Sequence, residues 1–193
     1  MKKGLLIILS GPSGVGKGTV RKHIMRDRKL GLAYSISMTT REPRANERDG
    51  VEYYFVSKKE FNEHIKNDDF LEWAEFVNNR YGTPKSRVEE LRNEGKNVFL
   101  EIEVKGATQV LAKMKDDPGV VSIFLMPPSL EDLEERIRSR KTEDNDVIEA
   151  RLNKAKSEMD QASKYQYVVV NDTVKRAANE IINIIKKQIK ENE

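Results

Sequence analysis

Five short apolar runs, rich in β-branched residues, lie at positions 5–9, 33–36, 98–102, 120–125 and 167–170. Runs this short and this continuously apolar predict strands covered on both faces, as in a parallel sheet. Helical patterns separate them. Ser129 is followed three residues later by Asp132, the spacing of a capping box, and Leu130, Leu133 and Ile137 then share one face. Towards the end Val174, Ala177, Ala178, Ile181, Ile185 and Ile189 keep the rhythm of a helix packed on a sheet. Strand and helix alternating in this way predict a three-layer α/β domain. Residues 39–91 break the alternation. There, short strand patterns at 53–56 and 71–77 are set off by the turn pairs Asp49-Gly50 and Asn78-Asn79, and a helix starts at Ser57 with Glu60 in capping-box position. A strand-rich insertion between core strands is a natural substrate-binding lobe. The charged stretch 136–146 reads as a mobile segment.

Composition narrows the class. In 193 residues, 37% are hydrophobic and 35% charged, which describes a globular chain and not a disordered one. The absence of cysteine excludes disulfides and thiolate metal sites. The run at 5–9 is too short to span a bilayer, and Met1-Lys2-Lys3 leads into a glycine-rich loop with no cleavage pattern, so the chain reads as cytosolic. A net charge of +3 is too mild to argue for nucleic acid. The placement of arginines in glycine- or proline-marked segments points instead to a small polyanion.

The first run leads into Ser10-Gly11-Pro12-Ser13-Gly14-Val15-Gly16-Lys17-Gly18-Thr19, and a helix pattern through Val20 and Ile24 follows. Strand, Gly-x-x-x-x-Gly-Lys and helix in this order form a phosphate-binding P-loop, the first function legible in the chain. Glycines let successive N–H groups face inward around phosphate oxygens, and the helix adds its positive end. The hydroxyl residue usual after the lysine is replaced by Gly18, with Thr19 next. No metal-ligating residue is therefore assigned, and Mg²⁺ is expected to be held mainly by phosphates and waters.

Read together, this loop, Ser37-Met38-Thr39-Thr40-Arg41-Glu42-Pro43-Arg44, Asp49-Gly50-Val51-Glu52-Tyr53-Tyr54-Phe55, Phe70-Leu71-Glu72-Trp73-Ala74 and Tyr81-Gly82-Thr83 resemble guanylate kinases. So do Glu101-Ile102-Glu103-Val104-Lys105-Gly106-Ala107, Pro127-Pro128-Ser129 and Val170-Asn171-Asp172. The resemblance is collinear over nearly the whole chain. It implies a P-loop NTPase-type core with a five-stranded parallel sheet at 1–38 and 92–193, a lid at about 136–146, and a GMP-binding insertion at 39–91. The implied activity is transfer of the γ-phosphoryl group of ATP to GMP in purine nucleotide metabolism, with Mg²⁺, by a cytoplasmic monomer or homodimer without nucleic-acid or membrane partners.

The same resemblance assigns residues. Arg41 and Arg44 grip the GMP phosphate, for which guanidinium forks are suited, and Tyr53 and Tyr81 complete that site. Glu72 reads guanine, whose adjacent N1–H and N2 amino donors an ionised carboxylate accepts together. Ser37 and Thr83, with Gly82 between Thr83 and Tyr81, reach the base from its other side, where O6 needs a donor. Glu101 and Glu103, at the carboxyl end of a central strand, divide between guanine and the Mg²⁺ waters; the family usually has aspartate at one or both, which leaves their separate roles open. Arg136, Arg140 and Arg151 close over ATP, Asn171 and Asp172 border adenine, and Lys17 acts on the phosphates being separated. Catalysis of this kind is positioning plus charge stabilisation, with no covalent nucleophile and no dedicated general base. Two rivals differ in class: a non-catalytic, peptide-binding guanylate-kinase-like module, and a kinase for another nucleoside monophosphate. The intact Lys17, Gly11, Gly14 and Gly16 argue against the first, and the Glu72 and Ser37 matches against the second.

Overall fold

A computed structural model describes residues 2–76, 78–139 and 145–192. The strands are β1 (Leu6–Ser10), β2 (Leu32–Tyr34), β3 (Met38–Thr39), β4 (Tyr54–Phe55), β5 (Phe70–Phe76), β6 (Asn79–Pro84), β7 (Asn97–Glu101), β8 (Val120–Met126) and β9 (Tyr167–Val170). The helices are α1 (Lys17–Ile24), α2 (Lys58–Lys66), α3 (Lys85–Asn93), α4 (Val104–Lys113), α5 (Leu130–Arg138), α6 (Asn145–Met159) and α7 (Val174–Asn192). β1, β2, β7, β8 and β9 form one parallel sheet in the order β2-β7-β1-β8-β9. The other four form a mixed sheet in the order β4-β3-β6-β5.

All five residues of β1 are buried. Leu5, Ile7 and Leu9 point to one face, where they meet Val20 and Ile24 of α1 and Ile181 and Ile185 of α7. Leu6 and Ile8 point to the other, against Val88 of α3 and Val110 of α4. An apolar partner on each face is why β1 reads as an unbroken apolar run and not as alternation. β9 departs from that expectation: it is an edge strand, and Val168 and Val170 are 45% and 39% exposed. The 33–36 run also shifts, with its strand ending at Tyr34. β5 begins one residue earlier than expected, and Val77 lies outside the described residues.

Both capping serines act as their spacing predicts. Ser57 Oγ accepts the Glu60 N–H at 3.1 Å and Ser129 Oγ accepts the Asp132 N–H at 3.0 Å. Helix α6 had no clear signal, because Ile148 and Ala155, with Leu152 alongside, are the apolar positions it packs against Leu133 and Ile137 of α5. The small core of the mixed sheet comprises Met38, Phe61 and Phe70.

At the amino ends of the strands, far from the glycine loop, Arg92 is 1% exposed. Its Nε donates to the Gly4 carbonyl at 2.9 Å, and Nη1 and Nη2 donate to Asp117 at 2.8 and 3.0 Å. The Arg92 contacts, with the Gly119 N–H, hold the Asp117 carboxyl below its usual 3.8. Arg92→Met leaves that carboxylate and the Gly4 carbonyl without these donors. Because Asp117 is partly solvated, the expected loss is about 2–3 kcal/mol, at or below the low end for breaking a buried pair. For a domain of this size that lowers the melting temperature by roughly 4–12 °C. Since Asp117 has a depressed value in the folded state, its contribution is present above the ordinary carboxylate range and lost as pH falls through the folded value. The gap between parent and variant should therefore narrow in acid. Melting curves at neutral and acid pH check this, and an unshifted curve at neutral pH would refute it.

Candidate active site

The glycine loop sits where the parallel sheet delivers it, between the carboxyl end of β1 and the start of α1. Gly11, Gly14 and Gly16 have φ of 150°, 89° and 99°, a region costly for side-chain-bearing residues. Gly16 occupies the N-cap position of α1 with no side-chain cap, so the positive end of the helix faces the loop. Lys17 is buried, and its ammonium donates to the carbonyls of Gly11 at 2.7 Å and Pro12 at 3.3 Å. Glu103 Oε1 stands 3.3 Å from the same ammonium. A cleft of about 380 Å³ opens here between Ser13, Lys17, Thr19, Arg21, Glu101 and Glu103. At Gly18 an added Cβ would meet Glu101 Oε1 at 3.5 Å, an ordinary contact, so no crowding demands glycine there.

A second cleft of about 320 Å³ lies between Gly14–Gly16, Arg136, Asn171, Asp172 and Val174. Arg136 donates from Nη2 to the Asn171 carbonyl at 2.8 Å and from Nη1 to the Val15 carbonyl at 3.4 Å. Asn171 is buried and gives its amide to Val15 at 2.8 Å. Asp172 is exposed and paired with Arg176 at 2.6 Å. At the start of α7, Thr173 Oγ1 accepts the Arg176 N–H at 3.4 Å. Arg151 of α6 reaches the loop through Ser13 Oγ at 2.8 Å. Arg140 lies outside the described residues.

The Arg41–Tyr81 group forms on the mixed sheet. Arg41 Nη2 lies 2.9 Å from both carboxylate oxygens of Glu47, and the Arg44 N–H donates to Glu47 Oε2 at 2.9 Å. The Arg44 amide and the Arg41 guanidinium together hold the Glu47 carboxyl below its usual range. The Arg44 side chain is exposed. Arg41 also lies over the Tyr53 ring at 5.5 Å, and the Tyr53 and Tyr81 rings meet edge-on at 5.9 Å. Burial pushes the Tyr53 phenol above its usual value. The Glu47 contact was not legible in the sequence, where Glu47 is one of three acids interleaved with three arginines at 41–49.

Glu72, on β5, is 7% exposed. Oε1 accepts the Thr83 hydroxyl at 2.6 Å from the strand position directly opposite. Burial raises its carboxyl above the usual 4.5, with the Thr83 bond opposing. Thr83 therefore gives its proton to Glu72, a pairing of the two side chains that the sequence did not announce. Ser37 is half-buried, and its carbonyl accepts the Tyr54 N–H at 2.9 Å. Gly82 is packed under β5, where a Cβ would meet the Phe70 ring at 2.8 Å, so packing alone accounts for its lack of a side chain.

Glu101 and Glu103 separate at the end of β7. Glu101 accepts Arg21 Nε at 2.6 Å, and Arg21 in turn lies 4.4 Å over the Tyr34 ring. Arg21 escaped the sequence reading, although it stands four residues from Lys17 on α1. Glu103 takes the N-cap position of α4 and faces Lys17 and, at 3.8 Å, Lys154. Among the described residues no three acidic or histidine side chains group as a metal site.

With this geometry in view, comparison with known proteins is decisive about family. The guanylate kinase family model matches residues 3–188. A guanylate kinase of Mesoplasma florum is 55% identical over 183 residues, 95% of this chain and 61% of that protein. The chain thus spans about three fifths of the length of that relative and of similar Mycoplasma proteins. A Bacillus cereus guanylate kinase is 55% identical over 95% of this chain and 88% of its own length. The crystal structure of guanylate kinase from Anaplasma phagocytophilum superposes with a TM-score of 0.74 at 33% identity, covering 97% of this chain and 87% of that one. The P-loop, the arginine–tyrosine group and the buried Glu72 are therefore held on a shared fold, and the chain belongs to the guanylate kinase family.

Proposed function

We propose that the protein transfers the γ-phosphoryl group of ATP to GMP, giving ADP and GDP. The observation carrying this reading is Glu72: a buried carboxylate with a hydroxyl donor, on the same small sheet as Tyr81, with Tyr53 just before β4 and Arg41 just after β3. A carboxylate that leaves water needs donors, and guanine brings two side by side. Adenine offers no such pair. In this reading residues 39–91 bind the acceptor, and residues 1–38 and 92–193 form the ATP-binding core.

A GMP phosphate oxygen attacks the γ-phosphorus in line, and the bond to the β-phosphate bridging oxygen breaks. Arg41 and Arg44 hold the acceptor phosphate, Arg41 exchanging Glu47 for it, with Tyr53 and Tyr81 alongside. Lys17 turns from the Gly11 and Pro12 carbonyls to the β- and γ-phosphates. Arg136 and Arg151, already on the loop through Val15 and Ser13, stabilise the moving charge. Arg140 shares that role on sequence grounds. Ser37 and Thr83 border the base, and Asn171 and Asp172 border adenine. Magnesium would offset charge on the β- and γ-phosphates; the dispersed carboxylates, Glu101 tied to Arg21 and Glu103 to Lys17, suit contact with its waters. No described helix is long and apolar enough to cross a membrane, and the cytoplasm is the compartment where we place this activity.

A coupled assay of the five common nucleoside monophosphates with Mg-ATP tests the reading; preference for any acceptor other than GMP overturns it. Lys17→Ala should lower kcat at least ~10²-fold with an unchanged melting curve. Gly18→Ser should keep activity within about threefold, since Glu101 stands at contact distance; a collapse would mean the backbone needs glycine there.

Glu72→Gln keeps size but turns one acceptor into a donor facing a donor. It should lower kcat/KM for GMP by ~10²- to 10³-fold, with the KM for ATP unchanged. Because burial raises the Glu72 value, its acceptor capacity is lost as pH falls through a point above the usual 4.5. The parent's KM for GMP should rise over that window, and the ratio of the variant's KM to the parent's, which cancels titration of the GMP phosphate, should shrink towards one. A ratio flat with pH would show that Glu72 does not read the base.

A further inference from the structure

Strand β5 is the outer strand of the mixed sheet, so one row of its backbone groups has no strand partner. Helix α4 of the core supplies partners instead. Gln109 Oε1 accepts the Trp73 N–H at 3.3 Å and its Nε2 donates to the Trp73 carbonyl at 2.9 Å, a two-point pairing of the kind a neighbouring strand would make. Lys113 Nζ donates to the Phe70 carbonyl at 2.8 Å. Gly106 completes the same stripe, since residues 106, 109 and 113 share one helix face. A Cβ built on Gly106 would stand 2.6 Å from Glu72 Oε2, 3.1 Å from Cδ and 3.4 Å from Cγ. Alanine is otherwise the better helix residue, and Gly106 has no positive φ to justify glycine. What glycine provides at 106 is room for a carboxylate.

We infer that Gly106 and Gln109 of α4 are positioning residues for base selection. Gly106 leaves the seat into which the Glu72 carboxylate fits, and Gln109 fixes the backbone of the next residue on β5. Selectivity for a base with adjacent N–H donors is thereby set from the core and not only from the insertion. The inference rests on the base-reading role proposed for Glu72. The carboxylate cannot escape sideways, because its other oxygen is bound to Thr83 and the side chain is buried. A methyl group at 106 must push it out of line with its ligand.

The test uses the full chain with Mg-ATP and compares GMP with inosine monophosphate, which keeps N1–H and lacks the 2-amino group. Gly106→Ala and Gln109→Leu should each raise the KM for GMP on the order of 10- to 10²-fold, the scale of a misplacement of about 1 Å. The KM for ATP should stay within about twofold, and the preference for GMP over inosine monophosphate should fall. In a Glu72→Ala background, Gly106→Ala should add no penalty, because no carboxylate is left to displace. If Gly106→Ala melts early, recovery of the melting temperature in the Gly106→Ala, Glu72→Ala double variant supports the same clash, and Gln109→Leu still reports on KM. Parental KM and parental base preference in folded Gly106→Ala and Gln109→Leu overturn the inference. If Glu72→Gln is impaired in that case, base reading by Glu72 survives and only the seat is lost; if Glu72→Gln is also parental, both fall.

Discussion

The structure depends on burying β1 on both faces. Leu5, Ile7 and Leu9 need α1 and α7 beneath them, while Leu6 and Ile8 need α3 and α4 above. Once both layers are in place, β1 lies between β7 and β8, with its carboxyl end open. The loop 11–16 emerges there, beside Glu101 and Glu103 at the end of β7 and Asn171 just past β9. Ligand sites at the carboxyl ends of parallel strands follow from this geometry, because that is where strand-to-helix turns expose backbone N–H groups.

Three cations of the site already have carboxylate partners. Lys17 faces Glu103, Arg21 faces Glu101, and Arg41 lies against both oxygens of Glu47. Clustered positive charges repel one another, and each of these carboxylates offsets part of that cost in the ligand-free protein. In the proposed function a phosphate would replace such a partner with one of higher charge and three acceptor oxygens, so binding would be an exchange of partners and not the filling of an empty cationic hole. The Arg44 amide and the Arg41 guanidinium both favour the ionised form of Glu47, so Arg41 has an anionic partner in the ligand-free protein.

Helix α4 joins the two sheets. Its first turn begins at Glu103, beside Lys17, and its face carries Gly106, Gln109 and Lys113 against β5. One helix thus touches both the residue proposed to act on the donor phosphates and the strand proposed to read the acceptor base. Asp68 spans the same joint on the surface: Lys113 and Lys85 pair with its exposed carboxylate, whose value drops to about 2.

Alone, the sequence determined what depends on local spacing. Continuous apolar runs gave the five parallel strands, Ser57 and Ser129 announced their helices, and the glycines around Lys17 announced a phosphate loop, because each signal is written within a few residues. The arginine–tyrosine segments and Glu72 were legible through family resemblance, which orders residues along the chain but does not say what each touches. Only the tertiary structure decided those contacts. That Thr83 gives its proton to Glu72 follows from the β5–β6 register, and that Glu47 meets Arg41 follows from how the loop after β3 folds back. Gly106 stood in the sequence only as one letter of the 101–107 segment, and the fold alone brings Glu72 to within a methyl group's reach of it. The weakly patterned α6 and the exposed valines of β9 were hidden for the same reason: burial depends on which neighbours the whole chain supplies, and no window of sequence contains them.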